Sequence, residues 1–132
     1  MNALLTGIFT AFNAVGPTAI HTSLGGRMFT RYAPPDTVYP YAVLTIPASL
    51  GWWTFTNDYD EVDVQFNLFS QSTSETEIGT LYTNLRALYD DTTLTVVGFD
   101  FLYMQYDMSW QLADPEEDVR QYVIQYNVLL QS

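Results

Sequence analysis

The chain has 132 residues, the length of one domain spanning residues 1–132, and carries 15 acidic side chains against 4 arginines and no lysine, for a formal net charge of -11. Such a surface repels phosphate backbones, because proteins hold nucleic acids through Lys and Arg that displace counterions, so a DNA-reading or RNA-reading role is excluded. Hydrophobic residues at 48% and aromatics at 16% supply a packed core, while the absence of cysteine removes thiol nucleophiles, thiolate metal sites and disulfides together.

Leu4, Leu5, Ile8, Phe9, Phe12 and Val15 fall at three-and-four spacing, which predicts a helix from Asn2 to Val15 ended by Gly16-Pro17. Gly25-Gly26 reads as a turn into a short strand over Arg27 to Tyr32, and a second short strand is expected from Tyr41 to Ile46 after the Pro34-Pro35-Asp36 break. The stretch from Pro47 to Tyr59 reads as the flexible loop. From Asp60 to Phe69, Val62, Val64, Phe66 and Leu68 alternate with Asp63, Gln65 and Asn67, the pattern of a strand with one buried face. Ser74 and Glu77 are spaced as a capping box, and Ile78, Leu81, Tyr82, Leu85, Leu88 and Tyr89 then predict a second helix, with Asp90-Asp91 at its end.

A short strand is expected near Leu94 to Val97. Leu102, Met104, Tyr106, Met108, Trp110 and Leu112 are expected to share one face of a long strand, and Tyr122, Ile124, Tyr126, Val128 and Leu130 one face of the last. Turn chemistry at Ala113-Asp114-Pro115-Glu116-Glu117 joins these two as an antiparallel hairpin. The order predicts an α+β fold in two layers, a mostly antiparallel sheet with two helices packed on one face. Neither a signal peptide nor a membrane span is expected, since the early residues alternate with polar ones and no apolar run approaches about 18 residues.

Little in the chain carries chemistry. His21 is the lone histidine and reads as a solvated loop residue, and neither a zinc site nor a phosphate-cradling glycine motif is present. Asp58, Asp60, Glu61 and Asp63 form an acidic cluster whose spacing departs from that of a calcium loop, with Val62 where a ligand belongs. No pair of carboxylates stands out as a hydrolytic pair. We therefore expect no catalytic residues, no metal and no cofactor.

Two features point to contacts instead. Adjacent Trp52 and Trp53, followed by Phe55, place at least one large ring on a surface or interface if the segment is extended. In so acidic a chain Arg27, Arg31 and Arg120 are candidates for charge pairing with a neighbouring subunit, or equally for offsetting acids of their own chain.

Four stretches carry a family resemblance: Gly26-Arg27-Met28-Phe29, Tyr39-Pro40-Tyr41-Ala42-Val43-Leu44, Val62 to Phe69 leading into Leu81 to Leu88, and Arg120-Gln121-Tyr122-Val123-Ile124-Gln125-Tyr126. Together they resemble the small tail-completion or tail-terminator proteins of long-tailed bacteriophages and related gene-transfer particles. The resemblance implies a non-enzymatic virion protein, made in the host cytoplasm, that forms a homo-oligomeric ring, usually a hexamer, at the head-proximal end of the tail. Such a ring ends polymerisation of the tail tube protein, meets the neck or head-completion protein and lets DNA pass through its lumen without specific binding. Trp52, Trp53 and Phe55 would then serve the protein contact. The alternative reading is a carbohydrate-binding module that stacks sugars on exposed tryptophans.

Overall fold

Val62, Val64, Phe66 and Leu68, the alternate residues of the central strand, are all fully buried. The computed structural model describes residues 2–14, 18–53, 58–71, 75–90, 92–114 and 119–131. Within them lie three helices, α1 (Asn2–Phe12), α2 (Ala19–Leu24) and α3 (Glu75–Tyr89). The strands are β1 (Met28–Thr30), β2 (Tyr41–Trp53), β3 (Asp58–Ser70), β4 (Asp100–Asp114) and β5 (Val119–Gln131). They form one sheet in the order β1-β2-β3-β5-β4, antiparallel except for β1 against β2.

The fold is the expected α+β arrangement. Leu4, Ile8 and Phe12 of α1, Ile20 and Leu24 of α2, and Ile78, Leu81, Leu85 and Tyr89 of α3 join a single core with Leu44, Phe66, Ile124 and Tyr126 of the sheet. Burial of these side chains, at roughly 1.5–3 kcal/mol each, is the main force that holds the helices to the sheet. Rings reinforce it: Phe66 stacks on Tyr89 with centroids 4.8 Å apart and meets Tyr126 edge-on at 5.9 Å. The opposite face of the sheet carries no helix among the described residues. Its register places Tyr41, Phe69 and Gln121 in one row, and Val43, Asn67 and Val123 in the next.

Several expectations change. There are three helices rather than two, because Thr18 and Gly25 bracket an extra turn-and-a-half, α2. Thr18 Oγ1 accepts from the His21 backbone N–H at 3.3 Å, and Gly25 takes a left-handed φ of 59° at the other end. His21 therefore sits on a helix, packed 4.8 Å from the Phe12 ring, and is not a solvated loop residue. Helix α1 ends at Phe12; Val15 and the Gly16-Pro17 stop lie outside the described residues. Ser74 of the expected capping box and the turn residues Pro115, Glu116 and Glu117 lie outside them too.

The expected loop from Pro47 to Tyr59 is mostly strand. Ala48 pairs with Asp63 and the ladder continues to Trp53 opposite Asp58, with a bulge between Thr45 and Ala48. The bulge falls at Ile46-Pro47, where proline has no N–H to give the ladder. The segment Leu94 to Val97 is not a strand. Leu94 and Val96 are buried but run irregularly under α1.

The expected single stripe on β4 is broken by two bulges. One extra residue between Phe101 and Tyr103, and another between Tyr106 and Met108, each shift the alternation by one position. Met104 and Tyr106 thus share the core face with Val128 and Tyr126. Met108, Trp110 and Leu112 pair with Gln125, Val123 and Gln121 and lie on the helix-free face.

Candidate functional site

β2 and β3 are 13 residues long each, roughly 40 Å of strand; β3 is paired with β5 as far as Tyr59, whereas β2 beyond its three residues paired with β1 is a sheet edge, and the expected contact segment lies on that edge. Ala48, Ser49, Leu50 and Gly51 are exposed there, Leu50 at 63%. In the register Trp52 stands opposite Tyr59 and Trp53 opposite Asp58, while Phe55 lies outside the described residues. A groove of about 390 Å³ is lined there by Ala48, Ser49, Leu50, Glu61 and Asp63.

The acidic cluster divides between the two faces of the sheet. Asp58 and Asp60 share one face by strand alternation, and Glu61 and Asp63 the other, so four carboxylates cannot converge on one ion. Asp63 is instead held by Asn127, whose Nδ2 donates to Oδ1 at 3.2 Å. Among the described residues no group of three or more His, Cys, Asp or Glu could hold a metal ion, and no helix is long and apolar enough to cross a membrane.

The three arginines singled out by sequence have different surroundings. Arg27 Nε donates to the Pro40 carbonyl at 3.0 Å and Nη2 to that of Tyr39 at 3.5 Å, tying the turn before β1 to the segment before β2. Arg120 Nη1 meets Glu75 Oε1 at 3.1 Å, which docks β5 to the first turn of α3. Arg31 is exposed, has a left-handed φ of 71° just past β1, and its guanidinium has no hydrogen-bond or ion-pair partner among the described residues. It lines a cleft of about 750 Å³ in which the segment from Tyr32 to Tyr39 walls off Tyr41, Val43, Asn67 and Phe69 on the helix-free face.

Arg86, not singled out by sequence, has the densest set of partners. Its Nη2 lies 2.9 Å from Asp90 Oδ2, its Nη1 donates to the Tyr82 hydroxyl at 3.0 Å, and its guanidinium carbon sits 3.8 Å over the Tyr106 ring. The hydrogen bonds it donates to Asp90 and Tyr82 hold its pKa above the ordinary value. The available signal was the spacing Tyr82, Arg86, Asp90, which puts all three on one helix face.

The described residues thus present an aromatic and amide-rich sheet face, an exposed β2 edge and an exposed arginine beside the cleft. The family model for tail completion protein gp17 matches residues 12–131. The chain belongs to that family. Its place there makes it a structural component of a phage-type tail. Its fold is similar to that of a chain in a solved structure titled "Virion of native gene transfer agent (GTA) particle", with a TM-score of 0.88 at 9% sequence identity over 99% of this chain and 96% of that one. No curated protein matches the chain significantly.

Proposed function

We propose that this tail completion protein is a terminator: copies form a ring, a hexamer, at the head-proximal end of the tail tube, stop its polymerisation and present a surface to the neck or head-completion protein. The observation that carries the reading is the family match across residues 12–131. The net charge of -11 suits a lumen through which DNA moves without adhering, because like charge keeps phosphates off the wall. The role is non-catalytic and needs no cofactor; the protein is made in the host cytoplasm and carried in the virion.

The far end of the β2 edge, which carries Trp52 and Trp53, is the element that meets the tube or the neck, with Phe55 just beyond it in sequence. Of the three arginines singled out for subunit pairing, Arg31 is the exposed one without a side-chain partner among the described residues and supplies that charge, while Arg27 and Arg120 hold groups of their own chain. Like charges at -11 per subunit oppose assembly until salt screens them, so ring formation rises with ionic strength or waits for the tube as template.

The test is the native mass by light scattering at low and moderate salt, with and without tail tubes, and electron microscopy of large species. A closed ring that caps tubes is the expected result. A protein that stays monomeric at every salt and leaves tube length unchanged sinks the reading. Trp52→Ala and Trp53→Ala, made singly, are expected to weaken capping; tubes capped normally by both would remove this end of β2 from the contact.

A further inference from the structure

We propose that the ring closes by contact between the two opposite flanks of the sheet, with Arg31 of one copy paired to Asp107 of the next. The inference rests on the ring reading above and names its subunit interface. The sheet ends in two unlike flanks: the short β1 beside β2 on one side, and the full length of β4 on the other. Unlike surfaces that meet head to tail generate rings when the rotation closes. Strand direction agrees, because the pairing order makes β4 antiparallel to both β1 and β2. A neighbour set alongside by rotation therefore continues the antiparallel alternation.

The two residues also lie level with each other across the sheet. The Arg31 N–H donates to the Leu44 carbonyl at 3.0 Å, and the next residue, Thr45, stands opposite Gln65. Gln65 stands opposite Gln125, and Gln125 opposite Met108, which follows the bulged Asp107. Copies related by rotation keep their level along the ring axis, so with the strands near that axis the ends of this row meet.

Charge and apolar surface complement each other at that level. Arg31 is exposed without a side-chain partner among the described residues, and Asp107 is exposed, its Oδ2 accepting from Gln125 Nε2 at 3.1 Å and its Oδ1 turned to no described donor. Beside them on the β4 flank, Met108 and Leu112 are about half exposed, at 50% and 48%. On the other flank Tyr32, 75% exposed, borders the cleft over Tyr41 and Phe69, which belong to the same row as Leu112. The bulge that presents Asp107 also disrupts the β4 edge against indiscriminate strand addition, so the charge pair sets which edge is accepted.

The experiment compares Arg31→Glu, Asp107→Arg, the two combined in one chain, and an equal mixture of the two single variants. Assembly is read by sedimentation with tubes present and absent, and circular dichroism checks folding. Each single variant is expected to lose about tenfold or more in association, since like charges then face each other. The combined variant recovers. The mixture recovers as well, because the two kinds of chain alternate around an even-numbered ring with every contact opposite in charge. Single variants that assemble like the parent, or losses that neither the combination nor the mixture restores, overturn the pairing and leave the terminator reading standing. A parent protein that never assembles, even on tubes, overturns both.

Discussion

The Tyr126 hydroxyl donates to Asp90 Oδ1 at 2.7 Å, so the carboxylate that pairs with Arg86 at the end of α3 is also fastened to the middle of β5. Tyr126→Phe removes the donor and keeps the ring. A hydrogen bond to a charged group contributes about 1.5–3 kcal/mol when well buried. Because Asp90 is a third exposed, the expected loss is about 1 kcal/mol, read as a lower urea midpoint with unchanged slope.

Alkaline pH should destabilise the fold through its buried tyrosines. Burial holds the Tyr89 hydroxyl, which donates to the Ile8 carbonyl at 3.0 Å, well above its ordinary value. Burial, and then the hydrogen bond to Asp90, do the same for Tyr126. A raised folded pKa leaves stability intact below the unfolded value near 10 and removes it as pH climbs towards the folded one. Tyr82 is shifted the other way: desolvation raises it, but hydrogen bonds with Arg86, Tyr106 and Ser109 outweigh that, so its contribution grows as pH approaches 10 and is constant above it. Denaturant melts are expected to show no loss of stability up to about pH 9.5 and to fall by about 1.4 kcal/mol per pH unit for each raised tyrosine above pH 10. Tyr89→Phe should remove one such contribution; a slope that it leaves unchanged would assign the effect elsewhere.

Gly7 sits in mid-helix, where alanine ordinarily adds up to about 1 kcal/mol of helix stability. Here a Cβ would lie 2.7 Å from the backbone oxygen of Thr95. Gly7→Ala should therefore push α1 off the irregular segment that holds Leu94 and Val96, at a net cost of about 1–3 kcal/mol. Thermal denaturation decides the sign, and a raised melting temperature would show that the segment yields freely.

Asn67 is the polar hub of the helix-free face. Its Nδ2 donates to the Val43 carbonyl at 3.2 Å, and its Oδ1 accepts from Gln65 and Gln121, each at 3.1 Å. Asn67→Leu keeps the branched shape but leaves those amides without their acceptor, and should cost about 1–3 kcal/mol despite the gain in hydrophobicity. Equilibrium unfolding of that variant beside Gln121→Leu would test the hub directly: the substitution at 67 should cost more, because it breaks three contacts and the other only one.

Much of this architecture was legible because some segments obey a single rule from end to end. Val62 to Leu68 alternates strictly and became the buried stripe of β3, and Ile78 to Tyr89 keeps helical spacing and became α3. The misreadings occurred where a local device interrupted the rule. Pro47 reads as the start of a loop, yet a bulge absorbs it and β2 continues to Trp53. Asp107 reads as one more polar residue in an alternation, yet it is the extra residue that reverses it. Helix α2 is six residues long, too short for periodicity to reveal, and only its caps at Thr18 and Gly25 mark it. Composition singled out the arginines, but their partners depend on tertiary placement: Glu75 and Arg120 are far apart in sequence and meet only because β5 begins beside the start of α3.

The bulge at Asp107 also separates two sets of selective demands along one strand. Before it, Met104 and Tyr106 answer to the interior, where a change of one methylene is felt throughout the fold. After it, Met108, Trp110 and Leu112 are released from the helix-covered interior and answer to whatever docks on the outer surface. A lineage could therefore rewrite the second half of β4 to suit a new neighbour while the first half stays as folding requires, and one inserted residue is what lets the same strand evolve at two speeds.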